Sequence, residues 1–191
     1  MQFAVLFVCT GNICRSPTAE RLLRHRLRAN LGTATTFDVT SAGVGALVGE
    51  PIHPDAARLL TREGIDADGF AARGLSRSMA ESADVVLAMT REHRAAIARL
   101  APRTLPKLFT LREFARLLAE HRDEWPATAD PQARARALVA LAQQWRGKAV
   151  PVDPSLDDVP DPYGRSAPVY DEAWTLISAA VDVVAGAITG E

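Results

Sequence analysis

Apolar residues follow two rhythms along the chain. From Phe3 to Val8 they are continuous, the pattern of a strand buried on both faces. Further on, Leu22, Leu23, Leu27 and Leu31 fall at helical spacing, with Arg21, Arg24, Arg26 and Arg28 between them. Ser16-Pro17 reads as the start of this helix, a hydroxyl able to cap and a proline suited to the first helical position. The opening unit is therefore strand, short loop, helix. A second strand is expected near Thr36 to Thr40, ending at Ser41-Ala42-Gly43. A helix over Pro54 to Arg62 stops at Gly64, a third strand covers Asp84 to Met89, and Arg91 to Leu100 is helical up to Pro102.

Leu105 to Phe109 reads as a weaker fourth strand. Two amphipathic helices follow, Leu111 to Glu120 (Leu111, Phe114, Leu117, Leu118) and Pro131 to Trp145 (Leu138, Leu141, Trp145). Val150 to Pro168, rich in proline and aspartate, reads as a loop. The chain closes with a helix carrying Ala173, Leu176, Ile177, Ala180, Val181 and Val184. Strands alternating with helices imply an α/β fold: a four-stranded parallel sheet, doubly wound, with helices on both faces. The length of 191 residues suits a single domain, 1–191. Ligands in such folds bind at the carboxyl ends of the strands, where the segment after Phe3–Val8 lies.

Composition narrows the function. With 48% hydrophobic and 24% charged residues the chain is typical of globular proteins, which argues against disorder and a disulfide scaffold. Lys and Arg total 22 against 23 Asp and Glu, so no global field favours nucleic acid or a membrane surface. The run Phe3–Val8 is far shorter than the roughly 20 residues of a membrane span, and it lacks the flanks of a signal peptide. The cytoplasm is the expected compartment, with neither nucleic acid nor membrane as partner.

The two cysteines, Cys9 and Cys14, are too few for a closed four-ligand zinc site and sit together in one short segment. His25, His53, His93 and His121 are scattered without ligand spacing, so no metal or other cofactor is expected. The segment Cys9–Arg15 joins a strand to a helix amino terminus. There its backbone N–H groups can form an anion nest, reinforced by the helix dipole. A cysteine thiol in that position beside an arginine can have its pKa lowered from about 8.5 to about 3.5–7.5, which activates it as a nucleophile. Arg15 supplies a planar fork for two phosphate oxygens, Gly11 permits an unusual backbone twist, and Ser16 can hydrogen-bond the sulfur. A Walker-type nucleotide loop needs Gly-Lys before Ser or Thr and is excluded. From these residues alone an inert buried Cys9 remains the alternative.

The run Val8-Cys9-Thr10-Gly11-Asn12-Ile13-Cys14-Arg15-Ser16-Pro17 closely resembles the signature of the low-molecular-weight protein tyrosine phosphatases. Ser41-Ala42-Gly43, Asp84–Met89 and Asp161-Pro162-Tyr163-Gly164 match the same family in the expected order. The resemblance implies a hydrolase acting on phosphotyrosine proteins, opposed by a cognate tyrosine kinase, without metal. It makes Cys9 the nucleophile and Asp161 the general acid and base. Arg15, with the loop N–H groups of Thr10, Gly11, Asn12, Ile13 and Cys14, becomes the phosphate cradle. Ser16, Asn12 and Ser41 support the loop; Ile13, Leu47 and Tyr163 line the substrate cleft; Cys14 is a redox partner for Cys9. Asp153, Asp157 and Asp158 lie close by, but only Asp161 stands in the Asp-Pro-aromatic context.

Two relatives of the family narrow the substrate. Arsenate reductases of this type need further downstream cysteines, and none follows Cys14. Protein arginine phosphatases tend to carry threonine where this chain has Ile13, so tyrosine is the expected substrate, with arginine or a broad aryl range as the alternative. A catalytically weak phosphoanion-binding module is the alternative of another class. Residues about 102–149 exceed what the resemblance needs and read as a helical insertion. It is expected to pack on the core, with Arg134, Arg136, Arg146 and Lys148 as a solvated basic face. The arginines between Arg21 and Arg28 are likewise expected to be solvated.

Overall fold

The computed structural model describes residues 2–32, 37–148 and 151–191. Strand β1, Ala4–Cys9, alternates strictly: Val5, Phe7 and Cys9 enter one core, while Leu6 and Val8 enter the other. That alternation is what a central strand covered on both faces requires. β2 (Asp38–Gly43) and β3 (Val85–Ala88) flank it, and β4 (Leu108–Thr110) pairs with β3. The sheet is four-stranded with order β2-β1-β3-β4, and every pairing is parallel. Thr36, at the expected start of the second strand, and residues 149–150, at the end of the expected insertion and the start of the expected loop, lie outside the described residues.

On one face lie α1 (Arg15–Leu31), α2 (Pro54–Arg62), α5 (Leu111–Glu120), α6 (Pro131–Trp145) and α7 (Ala167–Thr189). The other face carries α3 (Arg77–Ser82) and α4 (Arg91–Leu100), whose Ala80 and Ile97 pack on Leu6, Val8 and Val86. The doubly wound expectation holds. α7 is long and apolar enough to cross a membrane by length and composition. Here half of it is buried, with Ile177, Val181, Val184 and Ile188 in the core. α5 starts with a reciprocal capping box between Thr110 and Glu113, which fixes where β4 ends and the helix begins.

Several expectations need correction. Residues 102–107 form a 3-10 helix, so the fourth strand starts at Leu108 and not at Leu105. Pro106 has no N–H to give a ladder and excludes that stretch from the sheet. α1 starts at Arg15, one residue before the expected Ser16 cap, and Ser16 caps nothing. Pro17 is tolerated because the N–H groups of a first helical turn have no intrahelical partner. The stretch read as a loop contains a 3-10 turn at Pro154–Asp157, and α7 begins at Ala167. The expected basic face of α6 is not simply solvated. Arg146 donates to the carbonyls of Leu105 and Leu108 and stacks over Phe109, and Arg134 donates to Thr128. Likewise Arg24 holds the Val39 carbonyl at 2.8 Å and Arg26 meets Asp182 at 2.8 Å.

Candidate active site

The strand order reverses direction at β1, so loops after β1 and β3 meet at the carboxyl edge of the sheet. Met89 donates its N–H to Val8 at 2.8 Å there. Cys9, the last residue of β1, pairs with Gly43 of β2. A Cβ on Gly43 would lie 2.3 Å from the Thr10 carbonyl, so only glycine lets the two chains approach this closely. Beyond Cys9 the backbone curls into α1. Asn12 is the turning point, with φ of 56°, a left-handed conformation that asparagine tolerates better than most residues.

Buried side chains fix that turn. Asn12 Nδ2 donates to Ser16 Oγ and to Ser41 Oγ, each at 2.9 Å, and Asn12 Oδ1 accepts from the Arg73 N–H at 2.9 Å. Ser41 in turn donates to the buried Glu20 carboxylate at 2.6 Å, which Arg24 meets at 3.2 Å. Ser16 Oγ lies 2.9 Å from Cys9 Sγ, and the Asn12 N–H points at the same sulfur from 3.3 Å. Both groups can donate to a thiolate. Ser16, Asn12 and Ser41 thus lie in one connected network with the sulfur at its end.

Arg15 is buried. Its Nη1 donates to the Val159 carbonyl at 3.2 Å and its Nη2 meets Asp161 Oδ2 at 2.5 Å, while the buried Nε has no protein hydrogen-bond partner. Asp161, half exposed, accepts the Tyr163 N–H at 3.2 Å in a tight turn. A cleft of about 160 Å³ brings these groups together, lined by Cys9, Thr10, Gly11, Ile13, Cys14, Arg15, Gly45, Leu47, Asp161 and Tyr163. The exposed Leu47 and Tyr163 form its rim, and Leu47 is tied to the loop by its N–H to the Gly11 carbonyl at 3.0 Å.

Residues 4–137 match the family model for low molecular weight phosphotyrosine protein phosphatases. The chain belongs to this family. Among curated relatives, Etp of Escherichia coli K12 is 44% identical over 99 residues, an alignment covering 52% of this chain and only 62% of Etp. Wzb of the same strain is 34% identical over 187 residues, 98% of this chain and 96% of Wzb. Both are named low molecular weight protein-tyrosine-phosphatases. Among solved structures, the low molecular weight protein tyrosine phosphatase of T. tengcongensis superposes with a TM-score of 0.68 at 31% identity, covering 95% of this chain and 96% of that one. YwlE arginine phosphatase of Geobacillus stearothermophilus gives the same TM-score at 27% identity, covering 96% and 90%.

In this low molecular weight phosphatase fold Cys14 faces both the cleft and a second group of side chains. Its sulfur lies 4.0 Å from the Tyr170 hydroxyl, which is 3.0 Å from His53 Nδ1. Burial pushes the Cys14 thiol up to about 12, against the Tyr170 hydrogen bond, so it stays protonated. His53 stacks on Tyr170 and meets Tyr163 edge-on, which joins the cleft wall to α7. His93 sits on the other side of the loop. Its Nε2 is 2.9 Å from Thr10 Oγ1 and its Nδ1 is 2.9 Å from Thr90 Oγ1. Burial and then the charge of Arg15 push this imidazole down to about 4, with Asp161 and Asp158 opposing. Sequence reading missed the placement of His53, His93 and Glu20. The one available signal was the position of His93 just past the end of β3. Among the described residues no group of His, Cys, Asp and Glu could hold a metal ion.

Proposed function

We propose that this chain hydrolyses phosphotyrosine in proteins through a cysteinyl-phosphate intermediate. The observation that carries the reading is the one cleft in which the Cys9 thiol, the Arg15 guanidinium and the Asp161 carboxyl meet. Cys9, as thiolate with the Asn12 N–H and Ser16 hydroxyl directed at it, attacks phosphorus in line with the tyrosyl oxygen. The N–H groups of Thr10 to Arg15 and the Arg15 fork hold the three non-bridging oxygens and stabilise their charge in the transition state. For that, Arg15 exchanges its contact with Asp161 for phosphoryl oxygens, which frees the carboxyl to face the leaving oxygen. Asp161 gives that oxygen its proton, then takes one from the water that releases phosphate from sulfur. The thiol nucleophile and the guanidinium supply what a metal would supply in other phosphatases.

Ile13, Leu47 and Tyr163 are read as the walls that grip the substrate ring. Cys14 is read as the guard of Cys9: a Cys9 sulfenic acid condenses with the Cys14 thiol to a disulfide and water, short of irreversible oxidation. The substrates are phosphotyrosine proteins made by a tyrosine kinase, in the cytoplasm. The helices in the region of about 102–149 are read as an elaboration of the one domain, 1–191.

A second reading, protein arginine phosphatase, is favoured by the likeness to YwlE. Hydrolysis of matched phosphotyrosine and phosphoarginine peptides, with Cys9→Ser as the blank, separates the two. Preference for the tyrosine peptide supports the proposal, and preference for the arginine peptide keeps the mechanism but replaces the substrate. No turnover of either favours a phosphoanion-binding module or a small-molecule substrate.

A further inference from the structure

Asp161 stands on a stretch with little regular structure. Between Pro151 and Ser166 there is one 3-10 turn, Pro154–Asp157, and no strand. A general acid works only when held in register with the leaving oxygen, so something other than a ladder or a helix must hold this backbone. The residues just before Asp161 show what does.

Asp157 is buried, 8% exposed, and takes a fork from Arg116 of α5, Nε to Oδ1 and Nη2 to Oδ2, each at 3.2 Å. Asp158 takes a second fork from Arg91 at the start of α4, Nε at 3.2 Å and Nη2 at 3.0 Å on Oδ2. The Arg91 backbone N–H adds 2.7 Å to Oδ1. Arg112, one turn before Arg116, donates to the Asp158 carbonyl at 2.9 Å. The next residue, Val159, is tied to the sheet by its N–H on the Met89 carbonyl at 2.8 Å and to the site by Arg15. Two residues later comes Asp161. With both oxygens of each carboxylate engaged, by the Arg116 fork on Asp157 and by the Arg91 guanidinium and backbone N–H on Asp158, orientation is fixed as well as distance, which a single charge does not do.

We infer that Arg91 and Arg116 are positioning residues for the general acid, clamping Asp158 and Asp157 so that Asp161 meets the leaving oxygen. This rests on the phosphatase reading with Asp161 as acid. It also gives α5 a function beyond filling the core, because its Arg112 and Arg116 reach the acid loop.

The test is the dependence of kcat/KM on the leaving group. Tyrosine, with a phenol pKa of about 10, leaves poorly without a proton, whereas 2,4-dinitrophenolate leaves readily as an anion. Asp161→Asn is the reference: it should lower kcat/KM strongly on a phosphotyrosine peptide and little on 2,4-dinitrophenyl phosphate. Arg91→Met removes a partly exposed pair and is the variant expected to fold. Arg116→Met leaves Asp157 buried and unpaired, so Arg116→Lys, which keeps the charge and loses the fork, accompanies it. The expected result for Arg91→Met is a loss of about tenfold on the peptide, with 2,4-dinitrophenyl phosphate held within about twofold. Inhibition by inorganic phosphate should be unchanged, and Arg91→Met should add no further loss on an Asp161→Asn background.

Equal losses on both substrates, no loss on the peptide, or full additivity with Asp161→Asn would each overturn the inference. If Asp161→Asn itself shows no leaving-group selectivity, the acid assignment fails and takes the clamp with it. If Asp161→Asn is selective and the arginine variants are not, the clamp alone fails.

Discussion

Replacing His93 with glutamine isolates one titration from all the others in the protein. The imidazole is buried between Thr10 and Thr90 and is held down at about 4, whereas an unfolded chain protonates histidine near 6.5. Its hydrogen bonds do not cause this, because a threonine hydroxyl accepts from an imidazolium as readily as it donates to an imidazole. Burial and the Arg15 charge cause it, and Asp161 and Asp158 only weaken the effect. Between pH 6.5 and about 4 the unfolded state binds more protons than the folded state, so stability falls as pH falls. This contribution is complete above the unfolded value and lost progressively down to the folded one. A shift of that size at about 1.4 kcal/mol per unit amounts to about 3 kcal/mol. Urea unfolding of wild type and His93→Gln across pH 7.5 to 4 measures it. Wild type should lose about 3 kcal/mol more than the variant on acidification, with the divergence opening below about pH 6.5. Parallel stability curves would mean that His93 titrates alike in both states, and the account of a neutral histidine behind the loop would be wrong.

Three further outcomes are expected. Cys9→Ser should abolish turnover while inorganic phosphate still binds, measured by calorimetry, because the cradle is built from backbone and Arg15. Asp161→Asn should lower turnover of a phosphotyrosine peptide by about 10²-fold or more, read from steady-state kinetics. Asn12→Ala removes three hydrogen bonds, two of them buried and one partly buried, and puts alanine in a left-handed conformation. At about 1 kcal/mol for each bond and about 1 for the backbone, urea unfolding should show a loss of roughly 3–4 kcal/mol, and Asn12→Gly should recover only the backbone part.

β1 and β3 were legible because they are short apolar runs followed by strong helix signals, whereas β2, Asp-Val-Thr-Ser-Ala-Gly, carries a weaker pattern and β4 has only three residues. Pro54–Arg62, Arg91–Leu100, Leu111–Glu120 and Pro131–Trp145 all fall where apolar spacing and caps place them. The misses have separate physical causes. α3 is six residues long with only Met79 and Ala80 apolar, too short for a periodic signal; its mark is the Ser76 hydroxyl accepting the Met79 N–H at 3.2 Å. The start of α1 was misplaced because Ser16 has the composition of a cap. Here it serves the cysteine sulfur, a use that local propensity does not encode.

The site divides along the same line. Cys9 to Arg15 is one continuous segment between a strand and a helix, so its chemistry can be read from order alone. Asp161 comes from a distant loop, and only the family resemblance pointed to it. Of the groups that stiffen the cradle, Ser16, Asn12 and Ser41 were named in advance, and Glu20 had no signal of its own. Glu20 stands among arginines on α1 and reads as a solvated residue, yet it is buried, accepting from Ser41 with Arg24 beside it. Its burial follows from the loop's needs. The left-handed turn at Asn12 spends both Asn12 donors on Ser16 and Ser41, so each hydroxyl must pass its own proton to another acceptor. Ser16 has the sulfur and the Ala42 carbonyl, and Ser41 has Glu20. A buried network left unfinished at either end would cost more than an apolar one. A carboxylate at position 20 is therefore part of the same requirement that puts asparagine at 12, although nothing in the spacing of the two residues shows it.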